Sequence, residues 1–381
     1  MMDDRDSSPH SSSPDWETII IFERILSIMG YAERRKLYAK IERIRKRPLI
    51  AYVTSSRDGD GGGRMAPDVI TEFCAQISKI PKTEKSIDLL IVSNGGDPIV
   101  PWRIITLLRD RFKNLGVLVP FSANSAATLL ALGADQIIMH PFANFGPVDP
   151  QITGLTDQGV QTQFSADHLT YYLDFVKNEV GLSEQGEMGA AFQHLCDKVS
   201  ALDIGMARKS TKLTESLGKK LLLTHMRTED KADNIVTSLN KSFYHHGYTI
   251  GRKEAKDLGL PIKSSTKEIE DLLWDVWLDF EGEMKCRIPF DPLIELITTE
   301  EYREKLGLDT SNGISKDTYE QLSTALSDGG IFNFELLHAS LESTRLCCGF
   351  HSLKQLTITK TPDLKLNYHI GVISNGYWRR K

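Results

Sequence analysis

From residue 48 onward the chain alternates short apolar runs with helix-length segments, and this alternation restricts its fold more than any other feature. The β-type runs are 49–53, 88–92, 117–121 and 136–139. Between them, apolar residues recur at helical spacing, as at Val69, Phe73 and Ile77. Strands separated by helices of this length predict an α/β fold with a largely parallel sheet and right-handed crossovers. In such sheets, functional sites lie beyond the carboxyl ends of the strands.

Two turns rich in small residues lie at these predicted strand ends. Residues 93–97 read SNGGD after the second run, and residues 122–127 read SANSAA after the third. Each turn also precedes a predicted helix. Alone, a serine before a helix indicates an N-cap and an Asn-Gly-Gly sequence indicates a simple turn. Because the two occur in successive strand–helix units, we interpret them as two parts of one catalytic site.

The second turn offers a serine nucleophile for acyl transfer. A serine hydroxyl needs exposure, a nearby base and hydrogen-bond donors for the oxyanion. Ser125 lies where a strand is followed by a helix, whose N-terminus favours negative charge. We expect the Ala126 N–H to be one oxyanion donor. Gly95 or Gly96 would supply the other, because glycine adopts the backbone angles that direct an N–H into a cleft.

Three motifs together resemble the Clp-protease/crotonase superfamily: DLLIVSNGG at 88–96, NSAAT at 124–128 and GPVDPQ at 146–151. Within it, the chain is most similar to the serine dehydrogenase proteinase family, relatives of signal peptide peptidase A. The resemblance covers roughly residues 45–285. It implies a fold of repeated strand-strand-helix units and a catalytic domain spanning 48–285.

The resemblance also implies roles for individual residues. Ser125 matches the nucleophile of the family, and Gly95 and Ala126 match its oxyanion donors. Signal peptide peptidase A-like enzymes use a lysine as the base, several tens of residues downstream in some members. Lys177, in an apolar helix-like segment, is the first candidate for the base. Lys209, in a segment that resembles a lysine-bearing helix of the family, is the second.

Several assignments around the base stay open at this stage. Lys177 is equally well interpreted as a surface lysine whose stem covers apolar residues. Lys198 and His245 are further candidates for the base, whereas His140 is expected to be structural. Asp149, in the GPVDPQ motif, either orients the base or lines the cleft, or else it fixes a rigid turn between two prolines.

Composition argues against cofactor, metal or membrane functions. The sequence around 59–63 lacks the glycine spacing of a dinucleotide site, so we expect no cofactor and no dehydrogenase activity. We interpret residues 55–64 as a flexible loop without a metal site. The five cysteines are scattered, which indicates a reducing compartment, and no apolar stretch reaches the ~20 residues of a membrane span. We therefore predict a cytoplasmic protein.

The two ends of the chain differ in character from its middle. Residues 1–14 are acidic and serine-rich, and are predicted to be disordered. Residues 15–47 are predicted to be helical, and 31–47 carry eight Lys or Arg against two Glu. We expect a solvated helix or a subunit contact there, rather than contact with nucleic acid or a membrane. Residues 286–381 are predicted to form a small separate α+β region of unknown role, with alternating β-type residues in 353–373.

The predicted function is ATP-independent hydrolysis of peptide bonds by a serine peptidase. The resemblance implies a homo-oligomer built on trimers or larger rings. One alternative is a non-catalytic member that serves assembly or partner binding. Another is acyl-CoA thioester chemistry of the crotonase branch, since the same oxyanion turn can bind a thioester carbonyl.

Overall fold

A seven-stranded sheet forms the centre of the protein. The computed structural model describes residues 30–148, 151–155, 161–165, 167–241, 248–310, 314, 316–360 and 366–381. The predicted tail 1–14, residues 15–29 of the predicted helical segment, and the candidates Asp149 and His245 lie outside these ranges. The strands of the central sheet are β1 (Leu49–Thr54), β2 (Ser86–Val92), β3 (Asn114–Val119), β5 (Gln136–Met139), β10 (Gly330–Ser343), β11 (Cys347–Lys360) and β12 (Leu366–Arg380). Their order across the sheet is β12-β11-β10-β1-β2-β3-β5.

Helices cover both faces of this sheet. In the first part of the chain they are α1 (Gly30–Arg45), α2 (Val69–Ser78), α3 (Ile99–Arg111), α4 (Ala126–Leu132), α5 (Asp167–Asn178), α6 (Gln185–Cys196), α7 (Ala201–Leu222) and α8 (Glu229–Lys241). Further along they are α9 (Arg252–Asp257), α10 (Lys267–Glu283), α11 (Pro292–Thr298), α12 (Glu300–Leu306) and α13 (Lys316–Ala325).

The four strands β1, β2, β3 and β5 pair in parallel, as the alternation of strands and helices predicts. The predicted bounds hold for β5, and the helix predicted after the serine turn is α4. The third strand ends at Val119 rather than at residue 121. The reason is Pro120, which has no N–H to donate to a neighbouring strand.

Strand β1 shows how the sheet separates two layers of the core. All six of its residues are buried. Ile50 and Tyr52 belong to the apolar cluster formed with α2, α3, α4 and α8. Leu49, Ala51 and Val53 belong to the opposite cluster, formed with α1 and α10. Successive side chains of a strand point to opposite faces, so one continuous apolar run serves both layers.

A second, three-stranded sheet lies next to the parallel strands. Its members, in their order across the sheet, are β4 (Ser122–Ala123), β6 (Asn144–Phe145) and β9 (Ile250–Gly251). Strands β3 and β4 followed by α4 form one of the predicted strand-strand-helix units. A separate two-stranded sheet pairs β7 (Gln151–Leu155) with β8 (Gln161–Ser165).

The basic N-terminal segment packs on its own chain. Tyr38 and Ile41 of α1 are fully buried against α10. Buried Arg34 forms an ion pair with Asp279. Arg45 pairs with Asp88 of β2 at 2.7 Å. Several of the positive charges that the sequence gathers here are therefore neutralised by carboxylates of the same chain.

The C-terminal region contains helices and strands as predicted, but its strands join the main sheet. Strand β10 pairs antiparallel with β1, with Ile50 opposite Ser343, and β11 and β12 follow outward. The expectation of a separate region therefore differs from the structure. The physical reason lies in β1, whose apolar residues would otherwise form an exposed sheet edge.

None of the helices within the described ranges combines the length and the apolar character needed to cross a lipid bilayer.

Candidate active site

Backbone hydrogen bonds hold the two small-residue turns side by side. The Ser93 N–H donates to Ser122 O at 3.0 Å, and the Asn124 N–H donates to Ser93 O at 2.9 Å. Ser93 and Ala123 thus form a parallel bridge between the end of β2 and strand β4. The two turns, at the carboxyl ends of neighbouring strands, occupy one place in the fold.

Ser125 lies in a strained turn immediately before α4. Its backbone angles are φ 51° and ψ −116°, and the Ala127 N–H donates to Asn124 O at 2.9 Å. These are the features of a type II′ turn with Ser125 in the position that glycine usually occupies. The Ser125 side chain makes no capping hydrogen bond to α4. The N-cap interpretation, in which the hydroxyl serves only the helix, therefore does not apply.

Gly95 lies directly against the Ser125 turn. A Cβ atom at Gly95 would lie 2.7 Å from Asn124 O, 2.9 Å from Ala126 N and 2.9 Å from Ser125 Cβ. Its φ of 93° also disfavours any other residue. The structure thus brings three of the predicted site residues together, namely Gly95, Ser125 and Ala126.

Gly96 faces a different neighbour, the chain at Met65. The Met65 N–H donates to Gly95 O at 2.8 Å, and the Asp97 N–H donates to Met65 O at 2.9 Å. A Cβ at Gly96 would lie only 2.2 Å from Met65 O. Each glycine of the Asn-Gly-Gly turn is therefore required by close backbone contact, one with the serine turn and one with the segment before α2.

A hydroxyl cluster that the sequence analysis missed lies beside Gly95. The Gly95 N–H donates to Ser93 Oγ at 3.0 Å, and Thr54 Oγ1 donates to the same oxygen at 2.8 Å. Both hydroxyl residues are buried. Ala126 is the first residue of α4, so its N–H has no acceptor within the helix. The two predicted oxyanion donors therefore differ in this structure. The Gly95 N–H already donates to a side-chain oxygen, whereas the described hydrogen bonds include none from the Ala126 N–H.

Asn124 and Thr128 connect the serine turn to the GPVDPQ motif. A Cβ at Gly146 would lie 2.7 Å from Asn124 Oδ1, so the glycine makes room for the asparagine side chain. Thr128 Oγ1 lies 2.7 Å from Ala123 O and 2.8 Å from Gly146 O. The sequence feature that could have indicated this role of Thr128 is that it is the single polar residue of the apolar helix AATLLAL.

The candidate lysines lie on exposed helix surfaces. Lys177 is exposed in the last turn of α5, and Lys198 is exposed after α6. Lys209 is exposed on α7, two residues after buried Ala207. At about 100° per residue it lies on the opposite side of the helix from the buried stripe that Ala207 begins. The side chains of these three lysines face solvent in the described chain.

His140, the histidine nearest to Ser125 along the sequence, has a structural environment. It is buried and stacks on Trp274, with ring centroids 4.9 Å apart. Its Nδ1 accepts a hydrogen bond from the Phe142 N–H at 3.2 Å. Burial lowers the pKa of His140 below its ordinary value. These contacts agree with the structural role expected for His140. Within the described ranges, no three His, Cys, Asp or Glu side chains are grouped so that they could hold a metal ion.

One segment of the chain, which contains both small-residue turns, is similar to a known family of serine proteinases. Residues 70–164 match the family of ClpP-like SDH-type serine proteinases. The match confirms the predicted resemblance to the serine dehydrogenase proteinase family over this segment. It contains Gly95, Ser125 and Ala126, whereas Lys177 and Lys209 lie beyond its end. At the level of the class, the family supports a serine peptidase.

Two relatives come from Methanocaldococcus jannaschii. The uncharacterized protein MJ0137 is 29% identical over 197 residues, covering 52% of this chain and 60% of its own length. The uncharacterized protein MJ1495 is 27% identical over 198 residues, covering 51% of this chain and 58% of its own length. The chain thus spans about three fifths of the length of the curated relatives it matches.

Among solved structures, two variants of the 1510-N membrane-bound stomatin-specific protease are similar at 15% sequence identity. One has a TM-score of 0.35 and covers 55% of this chain and 80% of its own. The other, in complex with a substrate peptide, has a TM-score of 0.34 and covers 55% of this chain and 74% of its own.

Proposed function

We propose that this protein is an ATP-independent serine peptidase with Ser125 as its nucleophile. The observation that carries the proposal is the strained turn that places Ser125 at the start of α4 and in contact with Gly95. Ser125 Oγ attacks the peptide carbonyl and expels the amine, and water then hydrolyses the acyl-enzyme. Such a turn between a strand and a helix, which exposes the nucleophile, is also the structural context of the nucleophile elbow in other serine hydrolases.

The proposed oxyanion hole consists of backbone N–H groups on both turns. The Ala126 N–H is the first donor, and Gly95 or Gly96 supplies the second. Because the Gly95 N–H already donates to Ser93 Oγ, an oxyanion at this position competes with a neutral hydroxyl acceptor. A charged acceptor forms the stronger hydrogen bond, which favours transfer of the donor to the tetrahedral intermediate.

We propose Lys177 as the base, with Lys209 as the alternative. Between Ser125 and Lys177 the chain contains no other lysine and no arginine. A lysine base must be neutral next to the hydroxyl, which requires shielding from water. Since both side chains are exposed, the proposal requires that substrate binding or assembly covers the acting lysine. Asp149 is proposed to line the same cleft.

The proposal extends to assembly and compartment. The resemblance to a superfamily of rings and stacked trimers supports a homo-oligomer, and peptides or proteins are the proposed substrates. All five cysteines are free thiols, which agrees with the reducing cytoplasm proposed as the compartment.

Hydrolysis of fluorescent casein by matched variants tests the nucleophile and the base separately. We expect Ser125→Ala to lower kcat by at least about 10³-fold, because the residual rate then comes from binding and the oxyanion hole alone. Lys177→Ala should cause a similar loss, while Lys209→Ala and Lys198→Ala serve as matched lysine controls. Loss with Lys209→Ala alone would reassign the base. Full activity of Ser125→Ala would contradict the peptidase proposal.

One observation favours a second candidate function, a non-catalytic member that binds partners. That observation is the exposure of every candidate lysine in the described chain. A wild-type protein that forms a stable complex with a peptide, cleaves none of the peptides offered and does not react with a serine-directed probe would support this candidate.

A further inference from the structure

Strand β12 is a long edge strand whose outer side is unpaired within the described part of the chain. It runs over 15 residues, Leu366–Arg380, and pairs on one side with β11. From Leu366 to Val372 the pairing is regular, and the register irregularities lie further along, opposite 351–354. An unpaired edge of this kind presents a row of N–H and C=O groups that can pair with another strand.

The sequence of β12 has few of the features that normally protect a sheet edge. Native edges carry lysines, other charges or prolines that discourage pairing. Between Leu366 and Trp378 the strand contains no Asp, Glu, Lys, Arg or Pro. The two arginines that follow pair within the chain, Arg379 with Glu335 at 2.9 Å and Arg380 with Glu72 at 2.7 Å.

Exposed apolar side chains on β12 continue the inner face of the C-terminal sheet. Ile370 lies opposite Leu356, and Tyr368 lies opposite Ile358. Both β11 residues are buried against the cluster formed with α11–α13. Directly opposite residues point to the same face of a sheet. Yet Tyr368, Ile370 and Val372 remain 45%, 40% and 55% exposed, so the apolar face extends beyond the helices that cover it.

The opposite edge of the main sheet, by contrast, is covered. The Ile137 N–H of β5 donates to Pro261 O at 2.9 Å, and the Lys263 N–H donates to Ile137 O at 2.8 Å. The segment 261–263 thus pairs with β5 as a short additional strand. Within the described chain, the open edge of the seven-stranded sheet is the one at β12.

We propose that β12 pairs antiparallel with β12 of a second copy of this chain. A two-fold axis perpendicular to the sheet keeps the inner faces of both copies on the same side. The apolar stripe of Tyr368, Ile370 and Val372 then continues across the interface. The absence of charged residues up to Trp378 favours self-pairing, because a charge near the axis would meet its own copy.

The length of β12 suffices for a specific contact. At about 3.3 Å per residue the strand is about 50 Å long, and a sheet layer is about 10 Å thick. Each copy would bury on the order of 500 Å² along this edge, so the total reaches the lower limit of specific interfaces, about 1,000 Å².

Sedimentation equilibrium of the full chain and of a double variant, Ile370→Lys with Val372→Lys, tests the pairing. Lysine is the residue that native edges use to prevent association. The wild-type assembly should have twice the mass of the variant assembly if the remaining unit is a monomer, and at least twice its mass if that unit is a trimer with three β12 edges. Ile331→Lys is the matched control, since Ile331 is 60% exposed on β10 of the same sheet and should leave the mass unchanged.

Two further measurements make the result decisive. Far-ultraviolet circular dichroism should show both variants folded, because the substituted side chains are exposed. Hydrogen exchange of the β12 amides that do not bond to β11 should show protection in the wild type and no protection in the double variant. An unchanged mass in the double variant, or protection of these outward-directed amides in a wild-type monomer, would overturn the proposal. These measurements do not depend on peptidase activity. A failure of the proposed peptidase function would therefore be seen separately from a failure of the proposed pairing.

Discussion

At Ser125 the backbone adopts angles that cost an ordinary residue free energy, and the surrounding contacts hold it there. Conformations of this kind cost on the order of 1–3 kcal/mol, and they persist where the neighbouring structure fixes them. Here the fixing contacts are the Ala127 N–H to Asn124 O hydrogen bond and the contact with Gly95. A glycine would satisfy the turn more easily, so the serine is retained at a cost in stability. Such a cost is typical of a functional position.

In a helix, an alanine variant is usually more stable than the glycine variant at the same position. The strain at Ser125 predicts the opposite order of stability there. Ser125→Ala removes the hydroxyl and keeps the strain, whereas Ser125→Gly removes both. We expect Ser125→Gly to be more stable than Ser125→Ala by about 1 kcal/mol in urea unfolding, after the entropic cost of glycine. At Ser78, the exposed last residue of α2, the matched pair should show the opposite order. The same order at both positions would contradict the strained-turn account.

Part of the site could be predicted from the sequence because it depends on local chemistry. Ser125 and Ala126 are adjacent in a small-residue turn, and Gly95 follows a strand. The role of the Ser93 hydroxyl and the close approach of the Asn124 side chain to Gly146 could not be predicted, since they depend on contacts between separate strands. The base stays a prediction, because no local pattern distinguishes Lys177 or Lys209 from a surface lysine.

At the scale of elements, the loop after β1 differs from the flexible loop that its glycines indicated. Arg57, in this loop, is buried and forms an ion pair with Glu295 of α11. Lys285, just after α10, pairs with the other oxygen of Glu295 at 2.9 Å. The Ser55 N–H also donates to His338 O of β10 at 2.8 Å. The loop is therefore held by contacts with α11 and β10, and these partners lie more than two hundred residues away in sequence.

This network gives a pH-dependent contribution to stability. Burial alone would raise the pKa of Glu295, but the ammonium of Lys285 and the guanidinium of Arg57 hold it below its ordinary value. A carboxyl with a lowered pKa in the folded state stabilises the fold above the unfolded pKa of about 4.3, and this contribution is lost as the pH falls through the folded value.

We therefore expect Glu295→Gln to destabilise the protein by about 3 kcal/mol at pH 7, because it leaves buried positive charge unpaired. The difference from wild type should narrow as the pH falls from the unfolded pKa of about 4.3 through the lower folded value, where wild-type Glu295 also becomes protonated. Urea unfolding at several pH values measures it. Glu304→Gln, at an exposed position of α12, should change stability by less than about 0.5 kcal/mol. A difference that is constant with pH would argue against this role of the carboxylate.

At the scale of the whole molecule, the sequence predicted the parallel half of the sheet and missed the antiparallel half. The order β1, β2, β3, β5 follows from helices that connect neighbouring parallel strands over short distances. The pairing of Ile50 with Ser343 joins residues from opposite ends of the chain, and no local periodicity reports it. The alternating residues of 353–373 predicted strands, but the sequence did not indicate that these strands join the sheet of β1 through β10.

The antiparallel strands also extend the molecule beyond the part that family comparison describes. The matched segment ends at residue 164, while β10–β12 cover one side of β1 and form the edge at which a second copy is proposed to pair. The proposed site and the proposed interface therefore lie in different parts of one sheet, and a variant of one should leave the other intact.

The identity of the nucleophile is tested most directly by labelling with a fluorophosphonate, which reacts with an activated serine. Wild-type protein and Ser125→Ala would be treated in parallel, with Ser122→Ala as the neighbouring-serine control, and the modified peptide mapped by mass spectrometry. We expect the label on Ser125 in the wild type and in the control, and no label in Ser125→Ala. Undiminished labelling of Ser125→Ala, or a label mapped to another serine of the wild type, would contradict the account.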